Sequence, residues 1–99
     1  MNDRFSDKDP QEVIVLSVDF TSILSGETIT GAAWVITRED LPTEDTAPML
    51  SGVAAITGNT ISQKVIAGTV GGAYIHRVKA TTANRTLVHG VRQTVTFGA

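Results

Sequence analysis

Large apolar residues alternate with polar ones in several short runs of the chain. In the run Ile14-Val15-Leu16-Ser17-Val18-Asp19-Phe20, every even position is large and apolar, whereas Ser17 and Asp19 fall between them. A period of two places alternate side chains on opposite faces of a β-strand. This run therefore predicts a strand that turns one face towards a core.

A second strand is predicted roughly over residues 28–37, after a turn at Ser25-Gly26-Glu27. Its apolar residues differ in parity, because Ile29 occupies an odd position whereas Trp34 and Ile36 occupy even ones. A single extra residue in a strand shifts the alternation by one position. We therefore expect Gly31 to form a β-bulge in this strand.

The second half of the chain repeats the alternating pattern in four further segments. One strand runs from Leu50 to about Ile56, and the tight turn Thr57-Gly58-Asn59-Thr60 leads into another over residues 61–67. A later strand places Tyr74, His76, Val78 and Ala80 on one face. The turn Thr82-Ala83-Asn84-Arg85 joins it to a last strand, whose inward residues are predicted to be Leu87, His89, Val91, Val95 and Phe97.

Six or seven short strands, separated by turns and without a helical repeat, predict an all-β fold. We expect an immunoglobulin-like antiparallel β-sandwich of the Greek-key type. Trp34 on the second strand and Tyr74 at the start of the penultimate strand support this fold, because a buried Trp and a strand-F tyrosine recur in it. Thr, Val and Ile supply 33 of the 99 residues, and β-branched side chains favour strands.

The distribution of charge adds a feature that the net charge of −2 conceals. All ten acidic residues lie between Asp3 and Asp45, so the first 45 residues carry −7, and the remaining 54 carry +5. We expect residues 1–11 to form a flexible acidic arm, followed by one sandwich domain over residues 12–99. The segment from Arg38 to Pro48, with two prolines and four acidic residues, predicts a long loop with solvated charges.

Composition also excludes several classes of protein. The chain has no cysteine, which excludes disulfides, thiolate nucleophiles and cysteine-based metal sites. The polar N-terminus does not resemble a signal peptide, and no apolar run approaches the ~18 residues of a membrane span. We therefore expect a soluble protein made in the cytoplasm.

The chain contains a series of short motifs: Lys8-Asp9-Pro10-x-Glu12, Val18-Asp19-Phe20, Leu24, Gly26-Glu27-Thr28-Ile29, Trp34, Ala67-Gly68, Gly71-Gly72-x-Tyr74 and Ala80-Thr81-Thr82-Ala83-Asn84-Arg85-Thr86. Together these motifs resemble those of a family of small proteins encoded among the structural genes of tailed phages and prophages, known as phage-related or fibre–tail adaptor proteins. The family usually has Trp in place of Phe20 and Gly in place of Asn84. The resemblance implies an immunoglobulin-like structural component of the virion, at the head–tail joint, the tail or the fibre attachment, made in the bacterial host cytoplasm.

Candidate catalytic motifs are weak, and we expect no enzyme activity and no cofactor. Asp45-Thr46-Ala47 is similar to the Asp-Thr/Ser-Gly of dimeric retroviral proteases, but Ala replaces the glycine that the tight turn needs. His76 and His89 have no positioned carboxylates and are interpreted as structural histidines bonded to backbone or to each other. The segment 68–72 lacks the lysine of a phosphate-binding loop.

The charge split suggests an interaction surface instead. Four basic residues, Arg77, Lys79, Arg85 and Arg92, are predicted to form a basic face that contacts the acidic arm and loop of a neighbouring copy, represented by Asp7, Asp9, Glu39, Asp40, Glu44 and Asp45. Such a head-to-tail contact closes into a ring. The expected partners are other phage structural proteins and copies of the chain, without a membrane. Nucleic acid is the less favoured partner, because so few charges bind it weakly.

A separate alternative is a stand-alone carbohydrate- or surface-binding β-sandwich module. That function requires a cluster of exposed aromatic rings. The chain offers only five aromatic residues, and most of them lie in alternating strands, where we expect them in the core.

Overall fold

The computed structural model describes residues 5–97, which contain six β-strands. One short α-helix and a single 3₁₀ turn, Ala47–Met49, interrupt them. In chain order the strands and the α-helix are β1 Ile14–Asp19, α1 Thr21–Leu24, β2 Gly31–Arg38, β3 Leu50–Thr57, β4 Thr60–Val65, β5 Ala73–Thr81 and β6 Thr86–Thr94. No helix in the described part of the chain is long and apolar enough to cross a membrane.

The strands form two antiparallel sheets of three strands each. One sheet has the order β1-β4-β3 and the other has the order β2-β5-β6. Two connections are hairpins, β3 to β4 and β5 to β6, and the other connections cross between the sheets. The predicted all-β sandwich is therefore confirmed.

The core lies between the sheets and is built by the alternation seen in the sequence. Tyr74, His76, Val78 and Ala80 of β5 are all buried, as predicted, and so are Trp34 and Ile36 of β2. On β1, the odd-numbered Val15 is two-thirds exposed while the even-numbered positions turn inward. The prediction for Phe97 is wrong, because β6 ends at Thr94 and the Phe97 ring is 80% exposed.

The bulge predicted at Gly31 is also wrong. The pairing of β2 with β5 is continuous from Gly31 opposite Thr81 to Arg38 opposite Tyr74. Ile29 lies before the strand begins, so its odd position needs no bulge to reach the core.

The register instead shifts in β3, between Ser51 and Ala55. Gly52 adopts a φ of 77° there, a left-handed conformation that glycine accepts without a steric penalty. The buried amide of Gln63 supports the irregular stretch, since its Nε2 donates to the carbonyl oxygens of Ser51 at 3.3 Å and Gly52 at 3.2 Å.

Residues 5–8 lie along the open edge of β6, where the sequence predicted a flexible arm. The N–H groups of Phe5 and Lys8 donate to the carbonyl oxygens of Arg92 and Thr94, and Lys8 forms a parallel bridge with Val95. The Lys8 side chain is fully buried, and its ammonium donates to the Ala67 carbonyl at 2.7 Å. These bonds hold residues 5–8 against the edge of the sheet; residues 1–4 of the predicted arm lie outside the described residues.

Candidate interaction surface

The side of the β2-β5-β6 sheet that faces away from the core carries the basic residues of β5. Register places Lys79 between Ala33 and Val88, and Arg77 between Val35 and Gly90. We call these two rows of three residues the β5 outer face. It consists of Ala33, Val35, Arg77, Lys79, Val88 and Gly90.

Two cations and two half-exposed valines dominate this face. Val35 is 45% exposed and Val88 is 55% exposed, and both basic side chains lie in solvent. Within residues 5–97, neither the Arg77 guanidinium nor the Lys79 ammonium has a hydrogen-bond or ion-pair partner. The β5 outer face is thus a positively charged surface with apolar margins.

Arg85, predicted to belong to the same basic face, is used by the fold itself. Its Nη2 donates to the carbonyl oxygens of Ile23 at 2.7 Å and Leu24 at 3.2 Å, at the end of α1. Its Nε lies 2.5 Å from Glu27 Oε2, and this hydrogen bond lowers the pKa of the Glu27 carboxyl. Thr82 also donates to Glu27. Arg85 therefore ties the β5-β6 turn to the chain around α1.

Arg92 projects from β6 on the same side of the sheet as Arg77, but an acid of this chain neutralises it. Its Nη2 lies 2.7 Å from Glu39 Oε1. The pair joins the start of the loop after β2 to the opposite edge of the sheet. Of the four predicted basic residues, only Arg77 and Lys79 remain without an acidic partner in the described chain.

The predicted acidic loop pairs two of its carboxylates with an arginine, while its charged groups stay partly in solvent, as the 53% exposure of the Asp40 side chain shows. Arg38 Nε and Nη2 donate to the two carboxylate oxygens of Asp40 at 2.8 and 3.1 Å, and Nη1 donates to Glu44 at 2.8 Å. The hydrogen bonds from Arg38 lower the pKa of the Asp40 carboxyl. Asp45 is exposed and accepts the N–H of Ala47. The loop's carboxylates are therefore largely committed within the chain.

Tyr74 connects this loop to the connection between β4 and β5. Its hydroxyl donates to Glu44 Oε2 at 3.0 Å and accepts the N–H of Thr69, also at 3.0 Å. Gly72 allows the ring to take this position, because a Cβ there would lie 2.7 Å from Tyr74 Cε2. The tyrosine predicted as a core residue is thus also a tie between two loops.

The remaining predicted acidic residues, Asp7 and Asp9, lie in the N-terminal segment. Asp9 begins a tight turn in which its Oδ1 accepts the N–H of Gln11 at 2.8 Å and its own N–H donates to Glu12. Both Asp7 and Asp9 have interactions within the protein.

A buried chain of hydrogen-bonded side chains links the core to the N-terminal segment, and the local pattern of residues does not predict it. Trp34 Nε1 donates to His76 Nδ1 at 2.9 Å, so His76 Nε2 carries the proton and donates to Gln93 Oε1 at 3.0 Å. Gln93 Nε2 in turn donates to the Ser6 carbonyl at 3.0 Å. Burial lowers the pKa of His76 to about 4.

The Phe5 ring covers this buried chain. It stacks on Trp34 with ring centroids 6.0 Å apart and meets His76 edge-on at 5.2 Å. His76 is structural, as predicted, although its partners are side chains rather than backbone or His89. The buried Nε2 of His89 has no hydrogen-bond partner among the described residues. That part of the chain also holds no cluster of three metal-ligating side chains.

Comparison with known protein families identifies one that the chain matches. Residues 8–96 match the family described as podophage GP4 fiber-tail adaptor protein gp77. The chain belongs to this fibre–tail adaptor family. The match spans the strands of both sheets, and it confirms the resemblance drawn from the sequence motifs. No curated protein and no solved structure matches the chain.

Membership of the adaptor family identifies the chain as a structural component of a phage tail. A protein of this type binds other tail proteins and forms part of the virion.

Proposed function

We propose that the protein is a non-enzymatic adaptor that joins a fibre to the tail of a phage particle through protein–protein contacts. The observation that carries this proposal is the family match over residues 8–96. The buried polar groups support a structural role. His76 bonds to Gln93, Gln93 bonds to the N-terminal segment, and Tyr74 bonds to the backbone before β5, so these side chains hold strands and loops together. The proposal includes a second position in the particle, the head–tail joint, where the protein would act through the same kind of protein–protein contacts.

We further propose that the sandwich is immunoglobulin-like. The orders β1-β4-β3 and β2-β5-β6 correspond to strands B-E-D and C-F-G of that fold. Two recurrent features support the correspondence. Trp34 is buried on the strand equivalent to C, and the Tyr74 hydroxyl near the start of the strand equivalent to F bonds to backbone five residues upstream. In this proposal residues 5–97 form a single unit that includes the segment expected to be an arm.

Assembly in symmetric copies, closed into a ring, is also part of the proposal. The charge split of −7 and +5 between the two parts of the chain favours contacts between unlike surfaces. Because Glu39, Asp40 and Glu44 are paired with arginines of their own chain, such a ring would draw on other acids. We also propose that the protein is made in the cytoplasm of the bacterial host and is then incorporated into the virion.

A phage lacking this gene tests the adaptor function. We expect purified particles to carry tails without fibres in electron micrographs, and we expect the protein supplied from a plasmid to restore the fibres and to copurify with the particles. Fibres that attach normally without the protein would contradict the proposal, and so would absence of the supplied protein from purified particles.

A carbohydrate-binding module is not favoured by the described aromatic residues. Phe20, Trp34 and Tyr74 are buried in the core, and Phe5 packs on Trp34. Among residues 5–97 only Phe97 exposes most of its ring. A single exposed ring does not make the stacking platform that sugar recognition requires.

A further inference from the structure

We propose that the β5 outer face docks an acidic surface of another tail protein, with Arg77 and Lys79 as its charge contacts and Gly90 as the point of closest approach. This inference rests on the proposed adaptor function and specifies the chemistry of one of its partners. It requires a protein surface that presents carboxylates over a flat or extended backbone.

Two positive charges on this face have no acidic partner, whereas the other arginines among residues 5–97 are paired. Arg38, Arg85 and Arg92 each meet a carboxylate of the same chain. Arg77 and Lys79 lie two residues apart on one face of the central strand, about 7 Å from each other along it. Neither has an ion-pair partner in the described chain, so a carboxylate brought by a partner would add attraction at this face.

The fold does not require a glycine at position 90. Gly90 is directly opposite Arg77, in the interior of β6, and its φ lies outside the left-handed region. A Cβ at this position would meet only Ile75 Cγ2, at the ordinary distance of 3.9 Å. A glycine inside a strand weakens the strand and often marks a site where another backbone approaches closely. Gly90 leaves such an open site beside the Arg77 guanidinium.

Two valines flank the cations. Val35 and Val88 are each about half exposed, so the face offers apolar surface beside its two charges. A nucleic acid is a poorer fit, because two phosphate contacts release few counterions and no aromatic ring on this face can stack on a base.

A second copy of the chain is also a poorer fit than a different protein. The acids with which a second copy was expected to bind include Glu39, Asp40 and Glu44. All three are held by arginines of their own chain. Contact between two copies would replace an ion pair within one chain by an ion pair between chains, with little gain in free energy. A partner with unpaired carboxylates would add new ion pairs instead.

Charge reversal on the particle tests this inference. A phage lacking the gene is supplied with the wild-type chain, with the double variant Arg77→Glu and Lys79→Glu, or with the control Lys64→Glu. Lys64 is exposed on the other sheet, so its reversal matches the chemistry at a different surface. We expect the double variant to be reduced about tenfold or more in purified particles, since like charges across an interface cost several kcal/mol. We expect Lys64→Glu to be incorporated normally.

Gly90 provides an independent pair of variants. We expect Gly90→Leu to reduce incorporation because its side chain fills the open site, and we expect Gly90→Ala to keep the wild-type unfolding midpoint because its Cβ has room. Unfolding midpoints of all purified variants show that each one folds, so reduced incorporation reports docking. Normal incorporation of the Arg77 and Lys79 double variant would overturn the inference.

Three further results separate the competing explanations. Wild-type protein absent from particles would refute the adaptor function itself, not only this surface. Self-association of the purified chain in sedimentation that the double variant abolishes would assign the face to a second copy and overturn the inference. Binding of a DNA duplex that depends on Arg77 and Lys79, measured by fluorescence anisotropy, would overturn it in favour of nucleic acid.

Discussion

The free energy of unfolding is expected to decrease as the pH falls from 7 to 5, because His76 takes up a proton in the unfolded chain but not in the folded protein. The neutral imidazole accepts a hydrogen bond from Trp34 at Nδ1 and donates one to Gln93 from Nε2. The protonated ring would carry hydrogens on both nitrogens, so that two donors would face each other at Nδ1. The fold therefore favours neutral His76, and burial lowers its pKa from the usual 6.5 to about 4.

The sign and size of the effect follow from that difference. Between pH 6.5 and pH 4 the unfolded chain binds a proton at His76 that the folded protein does not, so the free energy of unfolding rises with pH in this window. From pH 7 to pH 5 the loss amounts to about 2 kcal/mol, and over the full shift to about 3 kcal/mol. Hydrogen bonds lower the pKa values of the Asp19, Glu27 and Asp40 carboxyls. Their contribution is lost only as the pH falls through about 4, below this range.

Urea denaturation at pH 7, 6 and 5 measures the effect, and Trp34 is the only tryptophan, so its fluorescence reports on the partner of His76 directly. We expect the folded protein's fluorescence to stay constant from pH 8 to pH 5 and to change near pH 4. His76→Gln should flatten the dependence of stability on pH, whereas His89→Gln, which changes the other histidine, should preserve it. A fluorescence titration of the folded protein centred near pH 6.5 would refute the reasoning.

Three other changes probe contacts described above by equilibrium denaturation. Gly72→Ala should lower the free energy of unfolding by about 2 kcal/mol, because the added Cβ would lie within 3 Å of a tyrosine ring and a backbone oxygen. Gly90→Ala, the matched control, should leave this free energy nearly unchanged. Equal effects of the two changes would contradict the packing. Arg85→Ala should cost about 1 kcal/mol through the lost carbonyl contacts, whereas Arg77→Ala should change stability by less than about 0.5 kcal/mol. Removing residues 1–8 should lower the free energy of unfolding by about 3 kcal/mol, since an aromatic contact and backbone hydrogen bonds are lost. The same deletion should shift the tryptophan emission to the red, because the Phe5 ring no longer packs on Trp34. An unchanged emission maximum would show that the segment does not cover the core.

The strand pattern was predictable because burial imposes a period of two on each strand. The alternation in β1 and β5, the turn between β3 and β4, and the burial of Trp34 and Tyr74 all follow from that rule. The predicted bulge at Gly31 was wrong because the pattern does not show where a strand begins, and Ile29 lies outside β2.

Contacts between distant parts of the chain could not be predicted from local pattern. Nothing in the residues around Lys8 shows that its ammonium reaches the Ala67 carbonyl across 59 positions of sequence. The charge split did not show that Arg85 and Arg92 meet Glu27 and Glu39, because pairing depends on which loops the sheets bring together.

The parallel pairing of residues 5–8 with β6 has a mechanical consequence. In a parallel pair the two strands point the same way, so the chain enters this pairing at one end and leaves β6 at the other. Tension between the two ends of the chain therefore shears the pair instead of unzipping it. The bonds from Phe5 to Arg92, from Lys8 to Thr94 and from Thr96 to Lys8 are stretched together. A force along the strands is thereby shared among these bonds, whereas a force that peels the pair apart would load them one at a time.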